Sequence, residues 1–145
     1  MQINIPEVLA EVTAVFQHYE GALVANDVAV LNGLFWDSPL TLRYGTGEIQ
    51  YGYDAIRAYR KACAPVAPSR MLQHTVITTF GRDLATANTE FRPAPAAQRL
   101  GRQSQTWVRM PEGWRIVDAH VSWQEPSPDN DDNSGLSDTS NRRTT

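Results

Sequence analysis

The chain has 145 residues, 41% of them hydrophobic and 20% charged, with a formal net charge of −3. That length and composition suit one globular domain with one core, and the sequence holds no apolar run of about 18 residues that would cross a membrane as a helix. The acidic balance argues against a nucleic-acid binder, and the single cysteine, Cys63, cannot form an internal disulfide, so the chain reads as cytoplasmic.

The opening residues lack a basic region followed by an apolar stretch, so no secretory leader is expected. Asn4 is placed to cap a first helix, with Pro6 in its first turn and Glu7 completing an Asn-x-x-Glu capping box. Val8, Val12, Val15, Phe16, Tyr19 and Leu23 recur at three- and four-residue spacing and define its apolar face. Asn26 or Asp27 then caps a short second helix with Val28, Leu31, Leu34 and Phe35 inward. Residues 39–44 form a strand candidate, 45–47 a turn and 48–51 a return strand. Gly52 ends this hairpin, and a third helix over 53–64 carries Ile56, Tyr59, Arg60 and Cys63 on one side before Pro65 and Pro68 stop it.

Four strands follow, at 69–80, 84–92, 99–110 and 114–125, joined by Gly-Arg-Asp, a Pro/Ala-rich loop and Pro-Glu-Gly. Helices first and antiparallel strands after predict an α+β domain over 1–125, with three helices packed on a curved, mostly antiparallel sheet around a pocket. Residues 126–145 are polar with one large apolar side chain, Leu136, and are expected to form a disordered tail. Removing the tail's four aspartates and two arginines leaves the folded part at −1.

Twelve of the thirteen basic residues are arginine, and only Lys61 is lysine. Arginine offers a planar fork that fits carboxylates, so one inward-facing arginine would point to an anionic ligand. Arg43 alternates with Leu42 and Tyr44 and faces the other side of its strand from them. If that side lines the pocket, Arg43 needs either a ligand carboxylate or a protein acid, with Glu48 across the hairpin the nearest. Arg102, Ser104 and Thr106 share one face of a later strand, and Gln103, Gln105 and Trp107 the other; a buried polar row there would suit a urea-like ligand, whereas a solvated one would be outward surface. His120 is either a pocket residue or a structural one. Trp36, Trp107, Trp114 and Trp123 are core, pocket wall or interface. His18, His74 and His120 show no metal-ligand spacing, and no serine elbow, phosphate loop or dinucleotide fingerprint occurs, so no metal and no cofactor are expected.

The stretches Ala25-Asn26-Asp27-Val28, Leu34-Phe35-Trp36, Arg43-Tyr44-Gly45-x-Gly47-Glu48, 52–60, 101–108 and 113–122 occur in an order that resembles the SnoaL-like, nuclear-transport-factor-like cone fold. The fuller set is similar to one branch of it, the AtzH-like proteins, also called HpxZ or oxalurate-catabolism proteins. The resemblance implies nitrogen catabolism alongside amidases and a cofactor-independent, decarboxylating amidohydrolase that converts 1,3-dicarboxyurea to allophanate. It further implies a catalytic tyrosine–arginine pair, for which Tyr19 and Arg43 fit. On the residues themselves, Trp36, Arg102, Ser104 and His120 are the substrate-binding candidates. A guanidinium nearby would favour a phenolate at Tyr19, and acid and base roles both remain open. The expected partners are a small anionic urea-like substrate and a second copy of the chain, with a pathway association to an amidase. Two other readings stand beside this one: a non-catalytic ligand-binding or accessory subunit of an amidase, and a SnoaL-type isomerase using Asp37 or Asp118 as base.

Overall fold

The computed structural model describes residues 1–126, and the stretch expected to form a polar tail lies outside them from residue 127 on. Three helices, α1 (Pro6–Ala25), α2 (Val28–Leu34) and α3 (Tyr53–Ala62), combine with six strands: β1 (Leu42–Tyr44), β2 (Ile49–Tyr51), β3 (Met71–Phe80), β4 (Leu84–Arg92), β5 (Leu100–Met110) and β6 (Gly113–Gln124). One sheet runs in the order β2-β1-β6-β5-β4-β3. All its pairings are antiparallel except β1 with β6. This is the α+β architecture expected from the sequence.

The apolar stripe of α1 makes the core. Val8, Val12, Phe16, Tyr19 and Leu23 are buried against Ala85, Ala87, Trp107, Trp114 and Ile116 of the sheet's inner face. Small alanines on β4 and large rings on β5 and β6 fill complementary space under the helix. Trp114 Nε1 donates to Glu11 Oε2 at 3.0 Å, so the indole fastens the helix to the sheet as well as packing beneath it. Close packing also explains one glycine: a Cβ on Gly101 would lie 2.1 Å from the Phe91 ring, so only glycine lets that ring lie over β5.

Two local expectations are corrected. Asn4 does not cap α1, whose N-cap is Ile5 with no side-chain cap bond. Asn4 instead takes a left-handed backbone conformation (φ 55°). It exchanges bonds with Thr79, its N–H donating to the carbonyl at 3.0 Å and its Oδ1 accepting from the amide at 2.9 Å. An asparagine tolerates that conformation, and tying the N-terminus to β3 satisfies more backbone than a cap would. Between the two candidate caps of α2 the roles divide. Asn26 closes α1 in the left-handed region, and Asp27 accepts from Val30 N at 3.2 Å.

A bulge in β6 governs which side chains face inward. Thr106 pairs with Asp118 but Trp107 pairs with Ile116, so Val117 is an extra residue on β6. Before it, Trp114 and Ile116 point to the core. After it the alternation is inverted, and Ala119 is buried while Asp118 and His120 are exposed.

Candidate functional site

A cavity of about 260 Å³ opens between α1, β1, α3, the 63–67 segment and the far ends of β4 to β6. Tyr19 of α1 contributes its ring, which is 3% exposed. Edge-on contacts to Phe35 (6.2 Å) and Trp107 (6.4 Å) fix that ring. The hydroxyl has no hydrogen-bond partner among the described residues. Burial drives the Tyr19 pKa above the ordinary phenol value, and the opposing pull of Arg60 and Arg43 does not cancel it. The resting side chain is therefore a neutral phenol, so the downward pull expected of a nearby guanidinium is present but does not decide the protonation state. Desolvation of the charged form outweighs the nearby guanidiniums.

Arg43 faces inward, on the opposite side of β1 from Leu42 and Tyr44, and it is 8% exposed. Its Nη1 donates to Glu48 Oε1 at 2.7 Å and to Gln50 Oε1 at 3.1 Å. Both sequence alternatives thus hold together: Arg43 bridges Glu48 across the hairpin and still lines the cavity. Its guanidinium lies 4.8 Å from the centre of the Tyr59 ring. Burial acts to raise the Glu48 pKa, but bonds from Arg43, the Gly47 amide and Tyr59 outweigh it and hold the carboxyl below its ordinary value of 4.5. A lowered folded value means that this pair stabilises the protein above about pH 4.5 and is lost as pH falls through the folded value. We expect Glu48→Gln to flatten the loss of stability on acidification, measured as melting temperature from pH 3 to 7. An unchanged acid slope would show that other carboxyls govern it.

The sequence reading weighed Gln103 as a pocket residue but missed the ion pair it joins. Arg70, just before β3, donates from Nε to Glu20 Oε2 at 3.1 Å and from Nη2 to Glu20 Oε1 at 3.3 Å. Gln103 closes the ring, accepting from Arg70 Nη2 at 3.1 Å and donating to Glu20 Oε1 at 2.9 Å. The Arg70 guanidinium also stacks 4.0 Å from the Phe91 ring centre. Arg60 of α3 is the third buried arginine, 8% exposed, and it has no carboxylate partner among the described residues.

The structure brings Tyr19 and Arg43 to one cavity and leaves the other four candidates outside it. Arg102 and Ser104 lie on the exposed face of β5, where Arg102 Nε donates to Ser122 Oγ at 3.2 Å. The inner face belongs to Gln103, Gln105 and Trp107, because Trp107 is fully buried and fixes the phase of the strand. His120 is exposed, with its ring 5.6 Å from that of Tyr44 on the outer face. Trp36 is half-buried and joins β6 through its backbone, its N–H donating to the Ile116 carbonyl at 3.0 Å. Trp107 and Trp114 are core, and Trp123 lines the cavity. Asp37 and Asp118 are exposed, and neither lines the cavity.

No helix among the described residues is long and apolar enough to cross a membrane. No cluster of three or more potential metal-ligating His, Cys, Asp or Glu side chains occurs among them either.

The sequence matches the AtzH-like family over residues 1–127. A cystatin-like fold protein from Burkholderia xenovorans, known from its crystal structure, is 52% identical with a TM-score of 0.83, covering 88% of this chain and 99% of its own. A crystal structure of a protein of unknown function from Pectobacterium atrosepticum is 54% identical with a TM-score of 0.81, covering 85% of this chain and 95% of its own. A nuclear-transport-factor-like superfamily protein from Salmonella enterica shares the fold at 24% identity and a TM-score of 0.61, over 90% of this chain and 98% of its own. A search of curated proteins found no match. The match spans every described residue, and the α+β sheet-and-helix architecture is that of the nuclear-transport-factor-like cone fold: the chain belongs to the AtzH-like family.

Proposed function

We propose that the protein is a cofactor-independent enzyme of nitrogen catabolism that removes one N-carboxylate from a carboxyurea, converting 1,3-dicarboxyurea to allophanate. The observation that carries this reading is the convergence of a neutral buried phenol and buried guanidiniums on one small cavity. Breaking the bond between nitrogen and the carboxylate carbon requires a proton on the departing nitrogen. Tyr19 supplies it. The electron pair of the broken bond stays with nitrogen, carbon dioxide leaves, and water returns a proton to the phenolate. Burial keeps the proton on Tyr19 until the reaction calls for it, and the Arg60 and Arg43 charges stabilise the phenolate that forms. Arg43 has Nη1 engaged by Glu48 and Gln50, and its other nitrogens are available to orient the leaving carboxylate.

The cavity favours this reading over an isomerase, which needs a carboxylate base in the pocket: no Asp or Glu is among the described residues lining it. A non-catalytic ligand-binding or accessory subunit is separated from an enzyme by turnover. The direct test is release of carbon dioxide and allophanate from 1,3-dicarboxyurea generated in place. Acceleration above the spontaneous rate is expected, and its absence would redirect attention to capture of an amidase partner.

We further propose that the protein works as a homodimer paired through the outer face of the sheet, where Tyr44, Tyr51 and Val76 are exposed. Light scattering after size exclusion should give twice the chain mass, and Tyr51→Glu should shift it toward the monomer. A monomeric wild type would remove this part of the proposal.

A further inference from the structure

The three buried arginines of the cavity differ in one respect. Arg70 has Glu20 and Gln103, which satisfy it with three hydrogen bonds. Arg43 has Glu48 at 2.7 Å. Among the described residues, Arg60 has only the Cys63 sulfur, 3.8 Å from Nη1. The same sulfur also lies 3.5 Å from the Arg60 carbonyl, to which it donates, and no carboxylate stands beside the guanidinium among the described residues. An arginine does not shed its proton, and a buried cation without an anion is costly. Among the described residues, the cavity thus carries one uncompensated positive charge, on a planar fork beside the tyrosine. Arg60 and Arg43 also flank one ring: their guanidiniums lie 6.0 and 4.8 Å from the centre of Tyr59.

We infer that Arg60 is the standing anchor for a carboxylate of the ligand, the one that remains on the product, whereas Arg43 receives the carboxylate that departs. The inference rests on the reading that the cavity takes a small carboxylated urea. The charge balance orders the two sites. A carboxylate arriving at Arg60 meets an unopposed cation. One arriving at Arg43 meets a cation that Glu48 already partly neutralises at Nη1, and binds through its other nitrogens. A dianionic substrate would engage both guanidiniums. After carbon dioxide is lost, Arg43 is left with Glu48 and the monoanionic product keeps only Arg60. The cavity should therefore prefer a monoanionic ureide to its neutral isostere even where no reaction occurs.

Calorimetry with oxalurate and with oxaluramide, in which an amide replaces the carboxylate, tests this without turnover. Wild type should bind oxalurate about ten- to a hundred-fold more tightly, the range for hydrogen bonds to a charged group. Arg60→Gln should erase that preference, and Arg43→Gln should reduce it less. Should the glutamine variant fail to fold, Arg60→Lys carries the test, since it keeps the charge without the fork and should bind oxalurate more weakly than wild type. The assignment is overturned if wild type does not bind oxalurate or does not discriminate. It is equally overturned if either Arg60 variant retains full affinity, or if Arg43→Gln has the larger effect. A wild type that prefers oxalurate yet fails to convert dicarboxyurea would count against the chemistry alone and leave the anchor standing.

Discussion

Replacing Tyr19 with phenylalanine is expected to lower turnover of 1,3-dicarboxyurea by about 10²- to 10⁴-fold, the contribution of a positioned proton donor. The fold should be untouched. The ring keeps its contacts with Phe35 and Trp107. The deleted hydroxyl has no hydrogen-bond partner among the described residues, so its loss strands nothing. A melting temperature close to wild type with turnover near the spontaneous rate is the expected pair of results. The pH profile offers a second check. The phenol is held above its ordinary value of 10.0, so the donor form persists through neutral pH. Turnover should not decline on the alkaline side until beyond about pH 10. A phenylalanine variant with normal rates would remove Tyr19 from the chemistry. An alkaline decline centred near neutrality would point to another acid.

The largest effect on stability is expected at Trp107. The indole is fully buried, lies edge-on to Tyr19, and donates from Nε1 to Gln105 Oε1 at 3.1 Å. Trp107→Ala should destabilise by about 3–5 kcal/mol, because the cavity left behind cannot collapse between β5 and α1. Much of the margin of a domain this size would be gone, since total stabilities are about 5–15 kcal/mol. Trp107→Phe separates packing from polarity. It retains a ring but leaves the Gln105 oxygen unpaired beside an amide nitrogen that already has no partner. The expected loss is about 1–3 kcal/mol, and adding Gln105→Leu should recover part of it. Denaturant midpoints of the three variants measure this. If Trp107→Phe proves as damaging as Trp107→Ala, the hydrogen bond rather than the packing dominates the site.

Much of this architecture was legible from spacing. The stripe from Val8 to Leu23 located α1 and its buried face, and the Leu-Arg-Tyr alternation set Arg43 on the opposite side of its strand from its neighbours, a side that the folded sheet makes the inner one. Both follow from a uniform repeat. The misplacements occurred where repeat or neighbour changed. Asp118 and His120 would share the inner face with Trp114 and Ile116 if β6 alternated without interruption, and the Val117 bulge reverses them. No glycine or proline marks that bulge in the sequence. For β5 the signal was present: Trp107 shares a face with Gln103, and a tryptophan in mid-sheet is a better guide to the inside than a row of polar residues. Arg60 was visible on the same side of α3 as Ile56. That it lacks a carboxylate could not be read, because Glu48 and Glu20 are assigned to their arginines only by the folded arrangement. The Glu20–Arg70–Gln103 ring joins positions 50 and 83 residues from Glu20, a separation no local pattern encodes.

The bulge in β6 gives backbone pairing a chemical meaning. It takes Val117 out of the alternation, so a chain lacking that residue would run β6 as a regular strand with Ala119 and Val121 still inward. The faces exchange only if every residue is kept and the bulge is lost. Regular alternation through Val117 would bring the carboxylate of Asp118 and the imidazole of His120 to the inward positions now held by Ala119 and Val121, and would turn Trp123 away from the cavity. The same side chains in the same order would then furnish an acid–base pair in place of an apolar wall. Relatives of equal length that differ only in this bulge would diverge in chemistry without a single substitution in the strand.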